Sequence, residues 1–131
     1  MDPRIAYRAG AVQGASPVGL VIQLYDQMIQ DLARALQALE QGNPERRTRE
    51  INHALTVIAW LQGTLDMERG GVIARNLERF YSTVRARLVE AQGAASQEIL
   101  QEQIDLLVDL RQAWTEVERD LSHKPLPSRI Q

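Results

Sequence analysis

The chain contains four long stretches in which apolar residues recur every three or four positions, separated by short stretches that carry glycine or proline. This spacing places the apolar side chains on one face of an α-helix. No stretch shows the alternation of apolar and polar residues that is typical of a β-strand. The pattern therefore predicts an all-α protein. In the first stretch the recurring residues are Leu20, Leu24, Met28, Leu32, Ala35 and Leu39.

Capping residues and glycines set the predicted helix boundaries. Ser16-Pro17 and Asn43-Pro44 each combine a preferred N-cap with proline at the first helical position, and Ser96 can cap a fourth helix. Glycine accepts the left-handed conformation that closes a helix, and it occurs at 42, 70, 71 and 93. The predicted helices span residues 17–41, 44–66, 71–92 and 96–122.

The lengths of these segments predict how the chain is organised. Its 131 residues are enough for one domain with a single core. Short connections favour antiparallel neighbours, so we expect an antiparallel four-helix bundle at residues 16–123. Residues 1–15 are expected to form an N-terminal arm that caps the bundle, and residues 124–131 a flexible tail.

Some apolar residues lie outside the narrow face that one helix needs to bury. On the first helix they widen the apolar arc to roughly 200°, against the ~100° or somewhat more that a single contact requires. Trp60 lies off the face of the second helix in the same way. Two interpretations remain open: neighbours or residues 5–12 cover these side chains, or they form a groove for a partner's amphipathic helix or extended segment. The residues on the first helix are Val21, Ile22, Tyr25, Ile29 and Leu36.

Composition and charge exclude several classes of function. The 44% hydrophobic and 24% charged residues are typical of a globular protein. No cysteine is present, which excludes a disulfide framework and a thiolate zinc site and fits a reducing compartment. The net charge of −2 provides no broad cationic field for nucleic acid. No apolar run is long enough to span a bilayer, so we expect a soluble protein.

The sequence offers little catalytic chemistry. Serine-nucleophile, P-loop and dinucleotide motifs are absent from it. The run from Glu50 to His53 matches the Glu-x-x-His pattern of carboxylate-bridged metal sites in helical bundles. Both side chains, however, lie beside the apolar arc, and the chain has only two histidines. We expect no metal and no cofactor, and a metal-dependent bundle enzyme is kept as an alternative.

Several motifs resemble one known family, the flagellar export chaperones FliS. Tyr7 and the Ser-Pro at 16–17, followed by a Leu-Tyr-Asp run at 24–26, are similar to the family's first-helix motif. Residues 65–77 look like its "LD-x-E-x-GG-x-IA-x-NL" run, and Tyr81 and Trp114 continue the likeness. Phe80 departs from the family pattern, where an aliphatic residue is commoner. The resemblance covers residues 5 to 117.

The resemblance implies a function and a set of partners. It implies a cytoplasmic, non-enzymatic chaperone that binds the disordered C-terminal segment of flagellin, prevents premature polymerisation and delivers flagellin to the flagellar type III export apparatus. The export gate and a regulator of flagellin are further partners that it implies, with no nucleic acid and no membrane insertion. The free protein would be a monomer or a weak homodimer. The alternative is a helical scaffold or dimerisation module without a flagellin client.

The resemblance also implies partner-binding residues, although the sequence does not separate core from groove. Tyr7 lies in the segment that in this family can cover the groove and take part in docking to the export gate. Tyr25, Val21, Ile22 and Trp60 are our preferred client contacts, because they combine apolar character with a position off the buried face. The full predicted set is Tyr7, Leu20, Val21, Ile22, Leu24, Tyr25, Ile58, Trp60, Leu61, Leu65, Leu77 and Tyr81.

Overall fold

The computed structural model describes residues 6–7 and 17–123. Residues 17–123 form four helices: α1 (Pro17–Glu40), α2 (Pro44–Gly63), α3 (Met67–Ala94) and α4 (Gln97–His123). The prediction of an all-α four-helix fold is confirmed. The expectation of a flexible tail at 124–131 and most of the predicted arm lie outside the described residues.

The helices pack in a ring in which α1 and α3 each contact both α2 and α4. Polar contacts between α1 and α2 establish that these two helices are antiparallel. Asp31 contacts His53, whereas Arg34, later in α1, contacts Glu50, earlier in α2. Each helix thus buries its apolar face against two neighbours.

The predicted N-caps are present where they can be described. Asn43 Oδ1 accepts a hydrogen bond from Arg46 N at 3.1 Å, and Ser96 Oγ accepts one from Ile99 N at 3.1 Å. Each bond satisfies one of the backbone N–H groups that a helix start leaves unpaired. These two caps fix where α2 and α4 begin.

The connection between α2 and α3 differs from the prediction. α2 ends at Gly63 rather than at 66, and α3 begins at Met67 rather than at 71. Asp66 is the reason, because its side chain accepts a hydrogen bond from Arg69 N at 3.0 Å and caps an extra helical turn. Gly71 then interrupts the helix with φ 53° and ψ −126°.

The end of α3 also differs from the prediction. Gly93 was expected to close this helix at 92, but the helix continues to Ala94. Ala95 takes the left-handed conformation instead, with φ 50°. The other boundaries lie within one residue of their predicted positions.

One hydrophobic core occupies the centre of the bundle, as the helical spacing predicts. Side chains that are less than 2% exposed come from all four helices. Along the described chain, no helix is both long enough and apolar enough to cross a membrane. The largest apolar side chains with so little exposure are Tyr25, Tyr81, Met28, Leu32, Ile51, Ile58, Leu61, Leu88, Leu100, Leu107 and Val21.

Replacing Gly71 by alanine tests the interruption of α3. The backbone angles of Gly71 lie in a region that residues with a Cβ rarely adopt. We expect Gly71→Ala to lower the free energy of unfolding in urea by about 1–3 kcal/mol. Gly93→Ala is the matched control, because Gly93 is helical and nothing lies within 4 Å of an added Cβ. That control should be neutral or stabilising by up to ~1 kcal/mol, and equal effects of the two changes would contradict this account.

Candidate functional site

The three tyrosines of the chain meet inside one end of the bundle. Tyr25 on α1 and Tyr81 on α3 join their hydroxyl oxygens at 2.6 Å, and the Tyr7 hydroxyl is hydrogen-bonded to that of Tyr81. All three side chains are buried. We call Tyr7, Tyr25 and Tyr81 the tyrosine cluster. It connects the N-terminal residues to two helices on opposite sides of the ring.

Backbone contacts hold the N-terminal residues against the connection between α2 and α3. Asp66 N donates a hydrogen bond to Ala6 O at 2.7 Å, and Tyr7 forms an antiparallel bridge with Leu65. The Tyr7 ring lies 5.9 Å from the ring of Trp114 on α4. Residues 6–7 therefore contact the turn before α3 and one face of α4 together.

An ion pair fixes α1 against α4 beside the tyrosine cluster. Arg111 donates from Nε to Asp26 Oδ1 and from Nη2 to Asp26 Oδ2, the latter at 3.2 Å. Such a paired geometry sets orientation as well as distance. Asp26 follows Tyr25 directly in the sequence, so the ion pair restricts the part of α1 that carries the Tyr25 phenol.

Burial keeps the phenols of the cluster neutral. Removal from water raises the pKa of Tyr7, Tyr25 and Tyr81 above the ordinary value of 10.0, and the proximity of Tyr25 raises the pKa of Tyr7 and Tyr81 further. A neutral phenol both donates and accepts a hydrogen bond. Neutral Tyr81 can therefore bond to the other two hydroxyls at once.

An open apolar groove lies between α3 and α4. Its volume is about 450 Å³, and Leu106 remains 40% exposed in its wall. The ring of Phe80 lies 5.7 Å from that of Tyr81, so the groove adjoins the tyrosine cluster. We call this feature the α3–α4 groove. Its lining residues are Ile73, Asn76, Leu77, Phe80, Leu106, Asp109 and Leu110.

A second depression lies between α1 and α4 and is more polar. Its volume is about 530 Å³, and four of its seven lining residues have polar or charged side chains. These four are Arg34, Gln37, Glu40 and Gln101. The α3–α4 groove therefore offers the more continuous apolar surface.

The structure places the predicted partner-binding residues in five different environments. Tyr7, Tyr25, Leu65 and Tyr81 gather at or beside the tyrosine cluster, and Leu77 lines the α3–α4 groove. Val21, Ile22, Ile58 and Leu61 are buried in the core, whereas Leu20 and Leu24 are half-buried and Trp60 is exposed.

The wide apolar arc of α1 is not an exposed surface in this structure. Val21, Ile22 and Tyr25 are 2%, 9% and 0% exposed. The reason is that α1 packs against both α2 and α4, and Tyr25 is linked through Tyr81 to Tyr7. Contact of these three side chains with a client remains a prediction.

The sequence interpretation missed most of the groove. Among the residues that line it, the predicted partner-binding set contains Leu77 alone, although Ile73 and Phe80 on the same helix also line the groove. Adjacent bulky pairs were the available signal, because Phe80-Tyr81 and Leu106-Leu107 each place one side chain in the core and the next beside it.

The metal alternative gains no support from the positions of Glu50 and His53. Glu50 Oε1 accepts from Arg34 Nε at 3.2 Å, and His53 Nδ1 lies 2.6 Å from Asp31 Oδ2. Asp31 is fully buried and also accepts from Gln27 and Arg34. Across residues 6–7 and 17–123, no three metal-ligating side chains converge on one point. The contacts of Glu50 and His53 instead join α2 to Arg34 and Asp31 on α1.

The tyrosine cluster predicts a loss of stability at alkaline pH. A folded-state pKa above that of the unfolded chain means that the stabilisation is complete below pH 10 and is lost as the pH rises above it. Each buried tyrosine contributes a loss of up to ~1.4 kcal/mol per pH unit. We expect tyrosinate absorbance to rise only as helical circular dichroism is lost.

The control for this titration is Tyr7→Phe, which removes one of the three phenols. Because the remaining two tyrosines belong to the helices, their ionisation should still accompany unfolding. Ordinary titration of all three tyrosines near pH 10 with the helices intact would contradict a buried cluster.

Comparison with known proteins identifies the family. The sequence model described as "Flagellar protein FliS" matches residues 1–121. The chain is 35% identical over 103 residues to the flagellar secretion chaperone FliSB of Pseudomonas aeruginosa, covering 79% of this chain and 82% of that protein. It is 33% identical over 108 residues to the flagellar secretion chaperone FliS of Salmonella typhimurium, covering 82% of this chain and 80% of that protein.

A more distant relative agrees with these two. The flagellar secretion chaperone FliS of Bacillus subtilis is 28% identical over 113 residues, covering 86% of this chain and 84% of that protein. The relatives support a flagellar export chaperone and do not favour a helical scaffold without a client. The family membership that the motifs indicate is confirmed, and the chain belongs to the FliS family of flagellar chaperones.

Proposed function

We propose that this protein is a flagellar export chaperone whose client is the C-terminal segment of flagellin, and that the α3–α4 groove receives an amphipathic helix of that segment. Membership of the FliS family supports the class of function. The observation that carries the choice of site is the apolar groove left open beside Phe80 and Leu106 in the folded bundle.

The dimensions and chemistry of the groove suit a helical guest. Two parallel walls of apolar side chains can hold the apolar face of one helix, which is a recurring mode of peptide recognition. Leu77 and Phe80 come from one wall, and Leu106 and Leu110 from the other. A segment that is disordered when free loses chain entropy on binding, so its affinity stays moderate and its release remains possible.

Chaperone action follows from covering the apolar face of the client. A flagellin segment whose apolar stripe lies in the groove cannot use that stripe to pack against another flagellin. The client would thus be held unpolymerised until it reaches the export apparatus. In this proposal the bundle supplies a temporary replacement for the contacts that flagellin makes in the filament.

The N-terminal residues supply a second, movable contact in this proposal. Tyr7 contacts Tyr81 and Trp114, and Phe80 joins Tyr81 to the groove. Release of residues 6–7 would uncover Leu65 and Tyr25 for a longer client. A released Tyr7 would also be available for docking to the export gate, and a regulator of flagellin remains a further proposed partner.

A titration with flagellin peptide tests the proposed client. We expect the last ~40 residues of a flagellin, long enough for two or three short helical segments, to bind with a stoichiometry near 1:1 by calorimetry. Circular dichroism should report a gain of helix beyond the sum of the separate components, because the client orders on binding. A peptide from the central part of the same flagellin is the control and should not bind.

A pair of substitutions tests the proposed site. Leu106→Gln should weaken binding of the flagellin peptide about tenfold or more, since a side chain in the groove would lose its apolar contact. Val89→Gln is the matched control, because Val89 is also an exposed apolar residue, on α3, and does not line the groove. Both residues are exposed, so both variants should fold with unchanged stability.

Two outcomes would contradict the proposal. Equal affinity of the Leu106→Gln variant and the unchanged protein would exclude the groove as the client site. A dimer in sedimentation that Leu106→Gln disrupts, together with no affinity for the peptide, would identify a second copy of the chain as the occupant instead.

A further inference from the structure

The two rims of the α3–α4 groove carry opposite charges. On the α3 side, Arg79 Nη2 donates a hydrogen bond to Asn76 Oδ1, and Asn76 lines the groove. On the α4 side, Asp109 itself lines the groove. The guanidinium is therefore held at one edge of the groove and a carboxylate lies at the other.

Helical spacing extends the acidic side of this pattern. Asp105 and Glu116 are four and seven residues from Asp109, so all three carboxylates share one edge of α4. All three side chains are exposed. The basic side is formed by Arg79. The α4 edge is thus an acidic rim and the Arg79 edge a basic rim.

The rims do not neutralise each other across the groove. Among the residues that the structure describes, neither Arg79 nor Asp109 takes part in an ion pair. Farther along the same two helices the charges do pair, because Arg87 on α3 bonds to Glu102 on α4 at 3.2 Å. The two helices pair their charges where they are close and leave them apart where the groove separates them.

A helix lying in such a groove has two flanks, one beside each rim. Reversing the direction of the helix while keeping its apolar face down exchanges the two flanks. A guest with acidic residues on one flank and basic residues on the other can therefore match both rims in one direction only. In the opposite direction it places like charges together, which is unfavourable.

We propose that the charged rims select the chain direction of the guest helix, with its acidic flank against the basic rim of α3 and its basic flank against the acidic rim of α4. This inference rests on the proposed function, because it assumes that the groove binds a helix. The apolar floor would supply most of the affinity, and the rims would decide orientation.

The expected size of the effect is modest and depends on salt. Exposed ion pairs contribute little individually, so two or three of them should favour the matched direction by about tenfold at low ionic strength. Salt screens the attraction between exposed charges such as those of the rims and the guest helix. The preference should therefore decrease strongly at high salt, whereas the apolar contribution should remain.

Two synthetic peptides provide the test. Both are amphipathic helices of about 18 residues, which span about 27 Å, with the same composition and apolar face but with acidic and basic flanks exchanged. Each carries a nitroxide at its N-terminus, and NMR of the full-length protein records which groove methyl groups broaden. Ile73 and Leu106 serve as reporters. Leu106 follows Glu102, which contacts Arg87 late in α3, whereas Ile73 lies early in α3, so the two reporters mark opposite ends of the groove. We expect one peptide to broaden Ile73 more and the other Leu106 more, because the two peptides lie in opposite directions.

Substitutions in the rims complete the test. Arg79→Gln combined with Asp109→Asn should reduce the difference between the two peptides, and the further changes Asp105→Asn and Glu116→Gln, which neutralise the rest of the acidic rim, should abolish it. Glu78→Gln is the matched control, because its side chain is exposed and lies on the side of α3 that faces α2, where Gln62 bonds to the Glu78 backbone. The control should leave both directions unchanged.

The outcomes separate this inference from the proposed function. Binding of both peptides in the same direction, or in both directions equally, would overturn the selection of direction and leave the groove as a binding site. Failure of both peptides and of the flagellin segment to bind the folded protein would overturn both proposals.

Discussion

The limited contact between α3 and α4 is the constraint on which the proposed activity depends. Each of these helices buries one apolar stripe in the core, but Phe80 and Leu106 lie beside those stripes, Phe80 only partly buried and Leu106 exposed. The result is a folded protein with a packed interior and an open apolar groove.

The tyrosine cluster explains how the described N-terminal residues are held against the helices. Residues 6–7 place a backbone carbonyl on Asp66 N and a phenol into a cluster whose other members belong to α1 and α3. Exchange of these hydrogen bonds for bonds to water or to a client would have a modest net cost, which supports the proposed release of residues 6–7.

Periodicity and capping residues were sufficient for the fold, and less so for the site. Asn43 and Ser96 begin their helices as predicted because an N-cap is a local interaction between a side chain and the nearby backbone. The prediction that Gly93 ends α3 was wrong, since glycine can occur inside a helix as well as at its end. The burial of Tyr25 could not be read from a helical wheel, because a wheel reports which side chains leave a stripe but not how many neighbouring helices cover the helix.

The account is tested most directly by mapping the client on the bundle. NMR of the isotopically labelled protein, titrated with the C-terminal segment of flagellin, would report contacts at individual side chains. The account predicts the largest changes at Ile73, Phe80 and Leu106, with smaller ones at the tyrosine cluster. Changes confined to the exposed face around Trp60, or none at a peptide concentration that saturates binding, would contradict it.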